Sequence, residues 1–440
     1  MLLPGAPRCR TRAAASANGA VVPRPTHLPR NVVILSFEGP DRYSFVGGLG
    51  VRATELAAAL GRGGFRTSLF FVGDPDKPGI EQWQPNVQLY RWCQWISKFH
   101  PGGVYDGESG KISDFAASAP PYIVSEIVQA ARERNERVLV LAEDWQVVPA
   151  VLHLHRALLE AGLRENATLV WNANNTYGFE TIDFSALQEA AVVTGVSRYM
   201  KFELGLRGVQ ALVVPNGIPE SLPDSVDDAA IAVLADALAG RRALLKVGRY
   251  DPDKRWLQAI DAVADLRDLG EKVQLIVRGG KEAYQTVVFG RALERGLSVA
   301  DTAVAECTPP QLARALKKER ADVVNLRSFL PNETLYALYG AVEAVLANSG
   351  KEPFGLVGLE VMACRGIPVC GSTGEDYARP FENALVCDTG DPSELTAALL
   401  RLFHDPKLAA KIRKRARKTA RRYAWPRVFE ILGAKLASAT

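Results

Sequence analysis

Two doubly wound, Rossmann-like α/β domains facing a cleft are what the sequence predicts, and three observations carry that expectation. From Asn31 onward, short apolar runs of strand type alternate with segments whose apolar residues recur at helical spacing. The first strand is followed by a glycine-rich turn, a helix and another strand, the order of a βαβ unit and hence of a parallel sheet. An acidic, proline-containing stretch at residues 220–228 interrupts the alternation, which then resumes. A chain of 440 residues is long enough for two separate cores.

Residues 31–37 (NVVILSF) are continuously apolar, as a strand covered on both faces must be. Residues 38–50 form a glycine-rich loop, residues 51–60 place Ala and Leu on one helical face, and residues 66–72 return as a strand. Further strands are expected at 137–141, 167–172, 191–196 and 211–214, with helices at 121–134, 147–162 and 198–206. These make a first domain over residues 31–221. The second, over residues 241–424, has expected strands at 243–248, 273–278, 322–326, 344–347 and 367–370, separated by helical segments at 252–269, 283–295, 332–339 and 354–365. Residues 425–440 read as a last helix.

Composition excludes several classes. A formal net charge of +4 over the whole chain does not call for nucleic acid. Six cysteines without a CxxC pair indicate neither a zinc site nor a disulfide framework, which favours a reducing, cytoplasmic setting. No apolar run approaches the ~20 residues of a membrane span. Residues 1–30 are rich in Arg, Ala and Pro with no acidic residue, the pattern of a disordered extension or, alternatively, an organelle (plastid) transit peptide.

The most informative stretch is residues 344–375, AVLANSGKEPFGLVGLEVMACRGIPVCGSTGE. A strand breaks into a polar loop and then a helix whose first turn holds Gly355 and Gly358. The first N–H groups of a helix have no internal partner and face the positive end of its dipole, so an anion docks there. Glycines leave the amides of Gly355, Leu356, Val357 and Gly358 open to a diphosphate. Glu352 before the helix and Glu360 within it would then bracket one diphosphate ester.

The filled pattern EPFGLVGLE, followed by Met362, Ala363 and Cys364, resembles the E-x7-E signature of the retaining glycosyltransferases of family 4, including bacterial glycogen synthases. Gly47 to Gly50 resembles their GGLG loop, which implies a backbone role for Gly48 near the donor phosphates; a Lys common two residues earlier is replaced by Phe45. Residues 215–219 (PNGIP) resemble the turn closing the family's first domain. Residues 248–254 resemble the loop in which Arg249 and Lys254 would contact the donor diphosphate; removing one such contact typically costs about 3 kcal/mol of barrier. Asp251 and Asp253 form a D-x-D, which this context assigns to loop and helix-cap duty rather than to a metal.

The first domain departs from the family on the acceptor side. Where relatives carry histidines, this chain has Glu143, Asp144, Trp145, Gln146 in one loop and Trp171, Asn172, Ala173, Asn174, Asn175 after the next strand. Amides bond sugar hydroxyls but cannot shuttle a proton. His153 and His155 fall on a helix and read as structural. Five of the seven Trp lie in this domain, and residues 92–108 read as an acceptor-facing aromatic segment. Near the end, Lys411, Lys414, Arg415, Lys418 and Arg422 recur on one helix face, a candidate contact for an anionic membrane or polymer.

The resemblance implies a GT-B fold and transfer of a hexose from a nucleoside diphosphate sugar to a carbohydrate or lipid-linked acceptor, with retention and without an obligatory metal or cofactor. Its implied catalytic residues are Arg249, Lys254 and Glu352. Gly48, the residues from Gly355 to Gly358 and Glu360 would bind the donor; Asp144, Trp145, Asn172 and Asn174 would face the acceptor. The competing readings are a nucleotide-sugar epimerase, which would lack EPFGLVGLE, and a nucleotide-sugar-binding scaffold that has lost catalysis, motivated by the missing histidines.

Overall fold

The computed structural model describes residues 27–439; most of the extension expected at residues 1–30 lies outside them. Two parallel sheets carry the chain. The first contains β1 (Asn31–Leu35), β2 (Arg66–Val72), β3 (Ile80–Gln84), β4 (Val87–Trp92), β5 (Val138–Glu143), β6 (Ala167–Ala173), β7 (Val192–Gly195) and β8 (Leu212–Val213), in the order β3-β4-β2-β1-β5-β6-β7-β8. Every pairing is parallel except β3 with β4. The second contains β9 (Arg242–Val247), β10 (Val273–Arg278), β11 (Val299–Thr302), β12 (Val323–Leu326), β13 (Ala344–Ala347), β14 (Pro368–Cys370) and β15 (Leu385–Val386), all parallel, in the order β11-β12-β10-β9-β13-β14-β15.

The apolar runs become the central strands because both faces are covered. All five residues of β1 are buried, and β5 is buried throughout. The strand order reverses between β1 and β5 in the first sheet and between β9 and β13 in the second. A crevice opens beyond the carboxyl ends of the strands at each such switch point. These two crevices locate everything that follows.

Several elements differ from the sequence expectation. Strands β3, β4 and β11 carry polar and charged residues, so the search for apolar runs misses them. The helix expected at 121–134 begins at Glu108 and runs through Pro120 and Pro121, with a π-helical stretch at Ile123–Val128. Pro120 lacks the N–H that would bond the carbonyl four residues earlier. That carbonyl, Ala116 O, accepts instead from His153 Nδ1 at 2.7 Å, which gives His153 its structural role.

The domains are joined by more than the linker. Ile218 pairs with the segment before the last helix, its N–H donating to Tyr423 O and its carbonyl accepting from Trp425 N–H. Helix Trp425–Ala439 then lies on the first domain, with Trp425, Phe429, Leu432 and Leu436 packed among Val32, Ile34 and Leu56. Burying a large apolar side chain is worth about 1.5–3 kcal/mol, so these anchors fasten the end of the chain to the first sheet. Across the cleft, Arg198 N–H at the start of helix Arg198–Gly205 donates to Asp376 Oδ2 at 2.8 Å.

The basic helix Pro406–Ala420 turns much of its charge inward. Arg413 donates to the carbonyls of Gly340, Val342 and Arg365, while Arg417 and Arg421 both grip Asp224 of the linker. Of the residues expected to face a membrane or polymer, Lys411 donates to Phe381 O and Arg415 pairs with Glu382. Two of the five residues of that stripe are thereby engaged within the molecule.

Candidate functional site

The crevice of the second domain is built by the loops after β9 and β13. The loop after β13 ends at Gly355, whose φ of +78° is left-handed backbone. An alanine there would be strained by about 1–2 kcal/mol, and its Cβ would also stand 2.8 Å from Glu375 Cγ. The helix therefore starts at Leu356 rather than at Phe354 and runs to Ala363. Its first amides belong to Leu356, Val357 and Gly358, the three that end-of-helix geometry leaves without a carbonyl.

Gly358 has a different cause from the one the sequence suggested. A Cβ on it would lie 2.4 Å from the Tyr377 hydroxyl and 3.0 Å from Cys370 Sγ. Its missing side chain faces the protein interior and lets Tyr377 reach the carbonyl of Gly355, to which the Tyr377 hydroxyl donates. The glycine keeps a packing contact rather than a path for phosphate.

Charge converges on this helix start. Lys254 Nζ lies 2.6 Å from Glu352 Oε2, so the cation and carboxylate expected to serve diphosphate and sugar meet each other directly. Asp251 accepts from Asp253 N–H, which places it as the cap of the short turn Pro252–Lys254. Arg249 is exposed; its carbonyl accepts from Trp256 Nε1, and its guanidinium has no partner among the described residues. Beneath the loop, the buried Lys246 donates to Leu346 O and Asn348 Oδ1. Burial, and then the nearby cations Lys254 and Arg255, lower its ammonium to about 7. On the other side, Glu375 accepts from the amides of Gly371 and Thr373. Burial followed by the charge of Glu352 pushes its carboxyl up to about 7.

Glu360 is not an open carboxylate beside the helix start. It borders a small interdomain cavity with Leu356, Arg52, Glu55 and Asn216. Burial, and then the Glu55 carboxylate opposite, lift it to about 8. Gly48 also differs from expectation. It opens helix Gly48–Arg62, and the amides of Val46, Gly47 and Gly50 around it all donate to Glu38 Oε2. The anion held by the GGLG turn in this arrangement is the chain's own carboxylate.

The crevice of the first domain lies at the ends of β1 and β5. Glu143 is buried and takes two bonds from Arg52, at 2.8 and 3.0 Å. Asn172 and Asn174 each donate to the same carboxylate, at 3.0 and 2.9 Å, and Thr194 donates to Asn172 Oδ1. Asn172 is therefore a support for Glu143 rather than an acceptor contact. Asp144 stands at φ +72° and ψ 178°, a conformation rare outside glycine that costs about 1–3 kcal/mol and concentrates at functional sites. Its Oδ2 accepts from Asn175 at 2.6 Å. Trp145 is half-buried and lies over Gly178.

The aromatic segment splits in two. Trp92 packs with Phe70 and Tyr122, and Trp171 is wholly buried with its Nε1 donating to Asp144 O. Trp95, Phe99 and Tyr105 are exposed. Glu38, Lys246, Thr373, Glu375 and Tyr377 were not singled out by sequence reasoning. Only Glu38 left a signal, as a carboxylate directly after the first strand of a doubly wound domain.

Two parallel-sheet domains opposed across a cleft, joined by a crossing last helix, define the GT-B fold. The chain overlays on sucrose-phosphate synthase from Thermosynechococcus elongatus with a TM-score of 0.64 at 17% identity, covering 93% of this chain and 100% of that one. It overlays on Anabaena HepE in complex with UDP at 0.61 and 18%, covering 93% and 100%. Residues 237–419, most of the second domain, match the family model described as glycosyl transferases group 1. Among curated proteins, the D-inositol 3-phosphate glycosyltransferase of Salinispora arenicola is 31% identical over 225 residues, 46% of this chain and 45% of that protein. Sucrose-phosphate synthase 1 of Arabidopsis thaliana is 26% identical over 187 residues, 42% and 17%. The match thus spans less than half the length of these relatives.

Proposed function

We propose that the protein is a retaining glycosyltransferase that moves a hexose from a nucleoside diphosphate sugar to an acceptor hydroxyl. One observation carries the reading: the Lys254–Glu352 pair at 2.6 Å beside the left-handed Gly355 and a free helix start, at the switch point of the second sheet. The diphosphate lies over the amides of Leu356, Val357 and Gly358, and Lys254 and Arg249 take up the charge that grows on the leaving nucleoside diphosphate. Glu352, released in part from Lys254 by the incoming phosphate, accepts from the hexose hydroxyls. Glu360, whose carboxyl burial and Glu55 raise, can offer a donor as well as an acceptor to the ribose when protonated. The acceptor enters from the first domain, beside Asp144 and Trp145, and the departing phosphate oxygen takes its proton. Fixed cations and backbone amides do the work a metal would do elsewhere.

A relative is crystallised with UDP-glucose, which makes that donor the first to try. The test is diphosphate release from ADP-, UDP- and GDP-hexoses by the full chain, beside Lys254→Ala and Glu352→Gln. Release from one donor, lost in both variants, supports the reading; tight nucleotide binding without release from any donor points to the scaffold instead. A specific observation motivates that second reading. Asn172 and Asn174 are spent on Glu143, and neither amide can shuttle a proton.

A further inference from the structure

Four carboxylates crowd the crevice of the first domain: Glu38, Glu108, Glu143 and Asp144. Tyr105 links them, since its hydroxyl donates to Glu38 and the charges of Glu38, Asp144 and Glu108 all act on it. Among the described residues, Arg52 is the one cation ion-paired with any of the four, and it is engaged by Glu143 and Asn216. Lys111, buried nearby, is turned into the carbonyls of Gly103, Val104 and Asp106 and the Tyr43 hydroxyl. The cluster keeps an uncompensated negative charge.

A second observation shows which chemistry would relieve it. Asp144 Oδ1 and Gln146 Oε1 are buried without a hydrogen-bond partner, on side chains 2% and 6% exposed. Their opposite ends are already committed, Asp144 Oδ2 to Asn175 and Gln146 Nε2 to Glu108. Gln146 Oε1 accepts, and Asp144 Oδ1 accepts once its carboxyl gives up a proton, so a cationic donor satisfies both.

We propose, resting on the glycosyltransferase reading above, that this crevice selects an acceptor bearing a protonated amine, an amino sugar, and rejects phosphorylated acceptors. An ammonium brings three donors and a positive charge to a site holding two unpaired acceptors and an excess of carboxylate. A phosphate monoester brings only acceptors and more negative charge. The curated relatives are named for phosphorylated polyols and sugars; the acidic crevice separates this chain from such acceptors. Burial and the charges of Glu143 and Glu38 hold the proton on Asp144 when no cation is present, and a bound ammonium replaces that proton as the counter-charge.

The test is calorimetric titration of the full chain with glucosamine, glucose and glucose 6-phosphate, each with and without saturating UDP. Glucosamine is expected to bind roughly tenfold tighter than glucose, as a charge-assisted contact implies, with glucose 6-phosphate weakest. Glu108→Gln, at a half-exposed side chain where folding is secure, and Asp144→Asn should each bring glucosamine to the affinity of glucose. Equal affinities for glucosamine and glucose, a preference for glucose 6-phosphate, or a glucosamine preference that survives both variants would overturn the proposal. UDP binding in the same experiment reports separately on the donor site. Its loss with glucosamine binding intact counts against the transferase reading alone, and its presence with the wrong acceptor order counts against the amine alone.

Discussion

Gly358→Ala separates two roles for the glycines at the start of helix Leu356–Ala363. The new Cβ would stand 2.4 Å from Tyr377 Oη and 3.0 Å from Cys370 Sγ, both on buried side chains. Overpacking of this kind costs about 1–3 kcal/mol. Displacing Tyr377 also forfeits its bond to Gly355 O, worth about 0.5–1.5 kcal/mol. Alanine's better helix propensity returns about 0.5–1 kcal/mol. The net expectation is a loss of about 2 kcal/mol, read by urea unfolding. Tyr377→Phe removes the closest clashing atom, leaving Cys370 Sγ at 3.0 Å as the remaining tight contact and Tyr377 Cζ at an ordinary 3.4 Å. Adding Gly358→Ala to Tyr377→Phe should therefore cost less than adding it to the parent, a coupling of about 1–2 kcal/mol. Nucleotide affinity should follow the same pattern, falling in Gly358→Ala and returning in the double variant. An alanine variant as stable as the parent, or affinity that stays lost in the double variant, would return Gly358 to the role of clearing a path for phosphate.

Three further outcomes follow from the geometry. Lys254→Ala should lower turnover about a hundredfold, yet cost no more than about 1 kcal/mol of stability, because the Lys254–Glu352 pair is partly exposed to water; steady-state kinetics and unfolding curves check the two halves. Asp144 and Glu360 are raised to about 8 and Glu375 to about 7, from 3.8, 4.5 and 4.5. The folded chain holds protons that the unfolded chain releases between those values, so this stability is full below about pH 4 and is lost as pH rises toward 8. Melting temperature should fall from pH 5 to pH 8, with a flatter slope in Asp144→Asn. Finally, EDTA should leave diphosphate release unchanged, whereas a metal requirement would abolish it and reopen the reading of Asp251 and Asp253.

The sequence made the second domain more legible than the first. Strands β10 and β13 fall on the expected residues because they are apolar runs with no competing signal. Lys254 and Glu352 stand out in the sequence because motifs fix their context, although their mutual ion pair depends on two loops about a hundred residues apart and leaves no local trace. Glu360 was read as open because helical spacing gives a face but not what packs against it, and Glu55 comes from the other domain. The same limit explains Asn172, an amide at a strand end whose partner Glu143 sits on the neighbouring strand. The charge stripe after residue 410 read as a surface contact because the partners of Lys411 and Arg415, Phe381 O and Glu382, are distant in the chain.

The most direct test of the central claim is calorimetric titration of the full chain with UDP, ADP, GDP and UDP-glucose, repeated with Glu352→Gln. A donor crevice around Lys254 and the helix start predicts that one nucleoside diphosphate binds at one site per chain, and that Glu352→Gln weakens the sugar nucleotide while sparing the free nucleotide. Heat-silent titrations with all four, confirmed by unchanged melting temperatures, would mean that this helix start holds no nucleoside diphosphate.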